Sequence, residues 1–224
     1  NECREMIKAC RDNNVPLFVA YYRRALPRFL KVKSLLLEAG AVGKPRFVNV
    51  TFCKETSPRD FDEADNWRIN PAIAGGGYFH DLASHSMDLL QFFFGKVKSA
   101  RGFASNQQKI YHAEDIVSGA MVFENLIHVS FMWNFNAYRS LDRTEIVGSR
   151  GKIVYPTFSN DPIILENENG RQELGIENPE HIQQTLIQTI VDELRGTGQC
   201  PSTGLTAAET NWIMDCIKPV TIPD

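Results

Sequence analysis

Asp81, His85 and Asp88 are spaced by four and three residues inside the stretch 67–95, WRINPAIAGGGYFHDLASHSMDLLQFFFG. On a helix that spacing gathers the three side chains in one narrow angular sector, because residues three and four apart are surface neighbours. Leu82, Leu89, Leu90 and Phe93 fall in another sector suited to packing, so the helix could be held by its apolar side while it offers an imidazole and a carboxylate to a cleft. An imidazole, with a solution pKa near about 6.5, suits exchange of a hydroxyl proton at neutral pH as an alcohol carbon becomes a carbonyl. His85 is therefore the candidate acid–base group. Asp81 is the candidate for bonding a reacting or neighbouring hydroxyl, orienting the imidazole and favouring its protonated form. Gly75, Gly76 and Gly77 stand just before the helix and permit a tight turn with close backbone approach to a cofactor or substrate, with Gly76 and Gly77 the candidate cofactor contacts. On spacing alone, an aspartate and a histidine one helical turn apart are more often a solvated or hydrogen-bonded pair than a catalytic one. The triplet also lacks the lysine and serine or threonine of a phosphate loop.

The elements that must position these residues follow from hydrophobic period. Cys3, Met6, Ile7 and Cys10 predict one face of a first helix, closed by Asn13 and Asn14. Residues 16–21, PLFVAY, then predict a short buried strand, and such a close helix–strand pair is typical of the last unit of a parallel sheet. Pro27 opens a second helix, with Phe29, Val32 and Leu36 on its buried face and Gly40 as its stop. From Lys44 the period changes to two: Val48, Val50 and Phe52 alternate with Asn49, Thr51 and Cys53, as in a strand with one buried face. An ordered loop is expected over 54–74 and a helix over about 78–94. Strands are expected at 97–107, 116–123, 126–135, 144–147, 152–155 and 162–166, the second and third joined as a hairpin through Glu124 and Asn125, with a polar turn at 167–170. Asn178–Pro179 is expected to open a penultimate helix carrying Ile182, Leu186, Ile190 and Leu194, and Thr206 with Glu209 to form a capping box for the last. The order fits an α+β fold: a large, mainly antiparallel open sheet with helices on one face.

At 224 residues and a formal charge of -3, the chain is large enough for a proper core and lacks the field expected of a nucleic-acid or anionic-membrane binder. Its five cysteines are odd in number and irregularly spaced, which predicts buried free thiols in a reducing, cytoplasmic setting. No apolar run reaches the length of a membrane span.

Taken together, these stretches resemble the Gfo/Idh/MocA family of NAD(P)-dependent oxidoreductases. NECREMIKACRDNNVPLFVAYYRR (1–24) resembles the last helix and strand of that family's Rossmann domain, and 29–52 the helix, EAGAVGKP turn and first strand of its second domain. WRINP, AGGG and DLASH match its most specific C-terminal motif, with Asp81 and His85 at the aspartate and histidine. TEIVGSRGKI, HIQQTLIQTIVDEL and PSTGLTAAET resemble its later sheet segment and closing helices. The resemblance implies a dihydrodipicolinate-reductase-like C-terminal domain over 25–224 that binds substrate and oligomerises, preceded at 1–24 by a remnant of a mostly absent Rossmann domain. It implies hydride transfer between NAD or NADP and a secondary hydroxyl of a sugar, inositol or related polyol, with Asp81 and His85 catalytic. Tyr21, Arg23, Trp67, Arg68, Tyr111 and His112 are the implied substrate contacts, with Asp115 a weaker candidate in the same loop. A homodimer or homotetramer through the open sheet face is implied as well.

The glycine-rich dinucleotide fingerprint and the Glu-Lys-Pro segment carrying the family's catalytic lysine do not occur in these residues, so the chain by itself is expected to hold NAD or NADP weakly and to be inactive. Two other readings compete. One is a metal-dependent isomerase or hydrolase using His80, Asp81 and His85 with His112 or Asp115, although adjacent helical positions diverge by about 100° and set His80 apart. The other is a non-catalytic oligomerising scaffold or sugar-binding domain.

Overall fold

A computed structural model describes residues 1–62 and 66–217, so positions 63–65 of the expected 54–74 loop and 218–224 of the expected second domain lie outside the described residues. The fold is an eight-stranded sheet whose apolar face is covered by helices. Its strands are β1 (Pro45–Cys53), β2 (Val97–Ser105), β3 (Ile116–Phe123), β4 (His128–Asn134), β5 (Leu141–Gly148), β6 (Gly151–Tyr155), β7 (Ile163–Asn167) and β8 (Gly170–Leu174). The strand order is β2-β3-β4-β1-β5-β6-β7-β8. Among the described residues the β1–β4 pair is parallel and the other strand pairs are antiparallel. The helices are α1 (Glu2–Asp12), α2 (Pro27–Leu37), the short α3 (Pro71–Ala74), α4 (Ser84–Phe94), α5 (Gln184–Leu194) and α6 (Gly204–Ile217).

The period-two segments dictate which face is covered. Val48, Val50 and Phe52 of β1 and Val129, Phe131 and Trp133 of β4 are all buried, and they pack with Phe29, Val32 and Leu36 of α2 and Met87, Leu90 and Phe93 of α4. Each such side chain contributes roughly 1.5–3 kcal/mol by leaving water, which makes this seam the main source of stability. The opposite face keeps its polar residues: Asn49 and Thr51 are half-buried, His128, Ser130 and Met132 are exposed, and the Ser130 hydroxyl donates to Asn49 Oδ1 at 2.6 Å across the parallel pair.

Several expectations change. Residues 16–21 do not enter the sheet: Phe18 makes one isolated bridge to Thr203, and Leu17–Val19 are only half-buried. Proline at 16 has no N–H for a ladder; Gly204 N donates to Leu17 O at 2.7 Å and Val19 N to Ser202 O at 3.3 Å, while Tyr21 N turns back to Val19 O at 2.8 Å. In α1 only Cys3, Ile7 and Cys10 are even half-buried, and Met6 is exposed. Asn178 does not cap a helix: its Nδ2 donates to Asn160 Oδ1 at 2.6 Å, and α5 begins six residues later at Gln184. The last helix is capped by reciprocal Thr203 and Thr206 contacts rather than by Thr206 and Glu209, and the Glu209 carboxylate accepts from the Gln91 amide instead. The expected turn at 167–170 is the bend into β8, an additional strand of polar residues that hairpins through Gly170 at φ 104°. All five cysteines are free, but only Cys200 is buried.

Candidate active site

The expected helix over 78–94 is two pieces. Phe79–Ala83 forms a wide π turn, and α4 proper begins at Ser84. An i→i+5 turn inserts one residue per turn, so it rotates the residues before it relative to those after it. The consequence is that Asp81, His85 and Asp88 do not share one sector.

Asp88 faces the interior and is 1% exposed. Its two carboxylate oxygens accept from Arg24 Nε and Arg24 Nη2, each at 2.8 Å, and Thr210 Oγ1 donates to it at 3.3 Å. The remaining Arg24 nitrogen, Nη1, donates to Pro201 O at 3.0 Å. This is a bidentate buried ion pair that pins the Tyr22–Ala25 turn to α4 and α6. Asp88 is therefore a positioning residue.

His85 points the other way, toward the turn so fixed. Its ring meets Tyr21 edge to face with centroids 5.5 Å apart, and Tyr22 tilted at 5.7 Å. Burial, aided by the positive charge of Arg23, pushes the imidazole pKa down to about 4, and Nδ1 has no protein hydrogen-bond partner. His85 is thus a neutral base at pH 7. The expected role of Asp81 in favouring the imidazolium is reversed here: among the described residues Asp81 makes no bond to His85, and the nearest influential charge is a cation. Burial also raises the Tyr21 hydroxyl to about 12, so it stays a neutral partner beside Ser84.

The depressed imidazole pKa has a measurable sign. Between about pH 6.5 and 4 the unfolded chain binds a proton at His85 that the folded chain refuses, so stability falls as the pH drops through that window and is intact above it. The loss is at most about 3 kcal/mol. Urea midpoints at pH 7 and pH 4.5, measured for wild type and for His85→Gln, should show the smaller acid loss in the variant. Equal acid losses would refute the assignment.

Asp81 lies on an exposed ledge with its carboxylate Oδ2 3.1 Å from Arg68 Nε, and the Arg68 guanidinium stacks 4.6 Å from the Trp67 ring. The loop that carries Trp67 and Arg68 is anchored by Asp60, a fully buried carboxylate that accepts from Ser57 N at 2.7 Å, Lys54 Nζ at 3.2 Å, Asn66 Nδ2 at 3.1 Å and the Tyr78 hydroxyl at 2.5 Å. Burial and the Asp60 carboxylate hold the Tyr78 hydroxyl up at about 12. Tyr111 belongs to this anchoring layer: it is 4% exposed, stacks edge-on to Tyr78 at 6.3 Å, and burial raises its pKa. It presents no free face to a substrate, in contrast to what its loop position suggests. Asp115 is likewise structural, accepting Gln107 N and Gln108 N at 2.8 Å and Asn136 Nδ2 at 2.9 Å. His112 is exposed on the same loop.

Gly76 and Gly77 are needed for a reason nearer home than a cofactor. A Cβ on Gly76 would lie 2.2 Å from His80 Nδ1, and one on Gly77 would lie 2.5 Å from the Ala113 Cβ. The close approach is made by the protein's own side chains, and neither backbone faces an open cradle. The described residues thus do not fit a dinucleotide: none forms a strand, glycine turn and helix around a pyrophosphate. His80 instead sits 3.4 Å from Glu114 Oε1; despite burial, which opposes ionisation, that imidazole and backbone N–H groups hold the Glu114 carboxyl below its ordinary range. Among the described residues no group of three or more His, Cys, Asp or Glu side chains is placed so that it could hold a metal ion.

The structure therefore brings Tyr21, Arg23 and His85 together, sets Trp67, Arg68 and Asp81 on an exposed ledge, buries Tyr111 against Tyr78 and leaves His112 exposed on its loop. Tyr22, Ser84 and Arg24 belong to the site's frame and were not singled out from spacing. The signal for Arg24 was present: two arginines after YY, followed by apolar residues, foretell buried charges that need partners.

Comparison with known proteins identifies the fold and the family. The family model for the GFO/IDH/MocA C-terminal domain matches residues 29–154. Oxidoreductase P35 of Formosa agariphila is 34% identical over 217 residues, covering 96% of this chain and 66% of that protein. The 1,5-anhydro-D-fructose reductase of Ensifer adhaerens is 23% identical over 209 residues, covering 91% of this chain and 61% of that protein. The chain thus spans about two thirds of the length of these relatives. An NAD binding oxidoreductase from Klebsiella pneumoniae has the same fold, with a TM-score of 0.79 at 17% identity over 96% of this chain and 67% of that one. With more than half its residues matched and its eight-stranded architecture shared, the chain belongs to the GFO/IDH/MocA family.

Proposed function

We propose that the intact protein is an oxidoreductase that moves a hydride between NAD or NADP and a secondary hydroxyl carbon of a sugar, inositol or related polyol. The carrying observation is His85, an imidazole that is neutral at pH 7, seated between two tyrosine rings, with Nδ1 unpartnered. A neutral imidazole takes the hydroxyl proton as the carbonyl forms, and in the reverse direction the imidazolium returns it. The relatives named an oxidoreductase and a 1,5-anhydro-D-fructose reductase support the class.

A nicotinamide cofactor, when bound, would supply the hydride-carrying ring; the roles that follow belong to this chain's own residues. Asp81, held by Arg68, orients hydroxyls from the exposed ledge; Trp67 stacks Arg68 and offers an apolar wall; Tyr21 and Arg23 close the side next to His85. Residues 1–24 form the junction to a nucleotide-binding domain and 25–224 the substrate and oligomer domain. The polar face of the sheet, with Asn49, Thr51, Ser130, Met132, Arg143 and Glu145 side by side, pairs subunits into a dimer or tetramer. No helix among the described residues is long and apolar enough to cross a membrane.

The test is NAD(P)-linked oxidation by the full-length protein across a panel of aldoses, anhydro sugars and inositols, with the reverse reductions. Substrate-dependent change in nicotinamide absorbance supports the reading. A folded full-length protein that is silent in both directions with both cofactors, yet self-associates in sedimentation through the open face, would establish the scaffold reading in its place.

A further inference from the structure

A chain of ring contacts runs from His85 out to the connection between β6 and β7. Tyr22 lies against the imidazole, tilted, with centroids 5.7 Å apart. The Arg23 guanidinium carbon stands 4.8 Å from the Tyr22 centroid and 4.6 Å from that of Phe158, so one flat cation lies against two rings. The outer end of the chain is anchored to the sheet. Phe158 meets Phe52 of β1 edge to face at 5.1 Å, and the N–H groups of Thr157, Phe158 and Ser159 donate to the Asp142 carboxylate at 2.9, 2.5 and 3.1 Å. Thr157 O accepts from Arg23 Nε at 3.1 Å, and Thr157 Oγ1 accepts at 3.4 Å from Ser86 Oγ, on the residue that follows His85. The turn that grips Arg23 is thereby fixed to β1, β5 and α4 together.

The surroundings of Arg23 suit a brace better than the substrate contact that family resemblance implies. Its side chain is buried, Nη1 is closed to solvent and Nε is occupied by Thr157 O. Arg24 has Asp88 as its counter-charge, whereas the charges acting on Arg23 are Asp142, already engaged with three N–H groups, and the like-charged Arg28. A buried guanidinium without an ion-pair partner costs stability, which motivates a role other than holding the fold. Around the imidazole, Tyr21 and Tyr22 are the titratable rings in contact, while Asp81 is bonded to Arg68 and Asp88 to Arg24. Arg23 is the charge that acts on His85. A planar guanidinium can lie flat on aromatic faces, and the ammonium of a lysine cannot.

We propose that Arg23 is a positioning residue for proton transfer: braced by Thr157 O and Phe158, it backs the Tyr22 ring and so holds the His85 imidazole in place. The proposal rests on the reading of His85 as the acid–base group, but the seating of its ring is measurable without turnover.

The test uses the full-length protein with Arg23→Lys, which keeps the charge and loses the plane, and Phe158→Leu, which removes the outer ring and leaves the charge. Three quantities are measured: the NMR cross-peak between the Tyr22 and His85 rings, the His85 titration midpoint, and the steady-state constants. In both variants the cross-peak should weaken and the midpoint should rise by about half a unit or more, as water reaches the imidazole. Turnover should fall about tenfold or more from the misplaced ring, with substrate KM held within about twofold. Wild-type turnover in Arg23→Lys would show that charge alone suffices, and a raised KM at unchanged turnover would return Arg23 to the substrate contacts. An unchanged cross-peak or an unmoved midpoint in Phe158→Leu would remove the brace. Each of these results overturns the proposal. If the wild type is inactive on every sugar and polyol, the hydride-transfer reading fails, while the cross-peak and midpoint still decide what Arg23 holds. If Arg23→Lys does not fold, Phe158→Leu decides by the same readouts.

Discussion

His85→Ala in the full-length protein lowers turnover about 10²–10⁴-fold at pH 7, the range for losing a positioned acid–base group. Its substrate KM changes much less, because the ring is half-buried and packs on Tyr21 and Tyr22 rather than covering the ledge where Asp81 and Arg68 lie. Steady-state kinetics at saturation, with a substrate identified from the aldose, anhydro-sugar and inositol panel, measure both. Asp81→Asn serves as the contrast: its carboxylate is 43% exposed and bound to Arg68, with no bond to the imidazole, so its loss should appear mainly in KM. The pH profile separates mechanism from structure. With an imidazole pKa of about 4 in this frame, the oxidation direction should stay flat from pH 7 down to roughly 5, where an unperturbed histidine would already have lost most of its basic form. Near wild-type turnover for His85→Ala, or a larger turnover loss for Asp81→Asn, would move the proton chemistry off α4.

The sheet was largely legible because period two is robust: Val48, Val50 and Phe52, and Val129, Phe131 and Trp133, could bury only one way, and 116–123 matches β3 end to end. β8 was not legible, since GRQEL alternates nothing apolar; it is a polar edge held by ladder bonds and by Arg171 Nη2 at 2.7 Å from Glu173. Residues 16–21 read as a strand because their composition is that of one, but a strand exists only where a neighbour pairs with it, and here Thr203 offers a single bridge. At the site the error was one of period. A regular helix from 78 would have stacked Asp81, His85 and Asp88, whereas the π turn at Phe79–Ala83 turns the first away and the core claims the last. Nothing in FHDLA announces that turn. What could not be read from spacing was which carboxylate has a cation waiting: Arg24 and Asp88 are 64 residues apart in sequence.

That pair sets the second large effect. Asp88→Ala should destabilise the fold by about 3–5 kcal/mol, because it strands the Arg24 guanidinium in an environment where it is 5% exposed. The damage is directional. Arg24 tethers the Tyr22–Ala25 turn to α4, and that turn holds Tyr21 and Tyr22 against His85. Loosening it admits water around the imidazole, so its pKa should climb from about 4 back toward its ordinary value, visible in the histidine ring resonances during an acid titration. A purely structural ion pair far from the site would cost stability without moving that titration. Replacing both partners, as in Arg24→Met with Asp88→Leu, removes the stranded charge and should recover much of the stability, since an apolar pair of similar size can match a buried ion pair. It should not restore the titration fully, because Arg24 also bonds Pro201 O and Gln91 Oε1, and those contacts orient the turn. Urea unfolding and histidine titration on the same two variants therefore separate how much of this buried charge serves the fold and how much serves the base. If Asp88→Ala unfolds at the wild-type midpoint, or leaves the His85 titration where it was, α4 is not coupled to the tyrosine turn through Arg24.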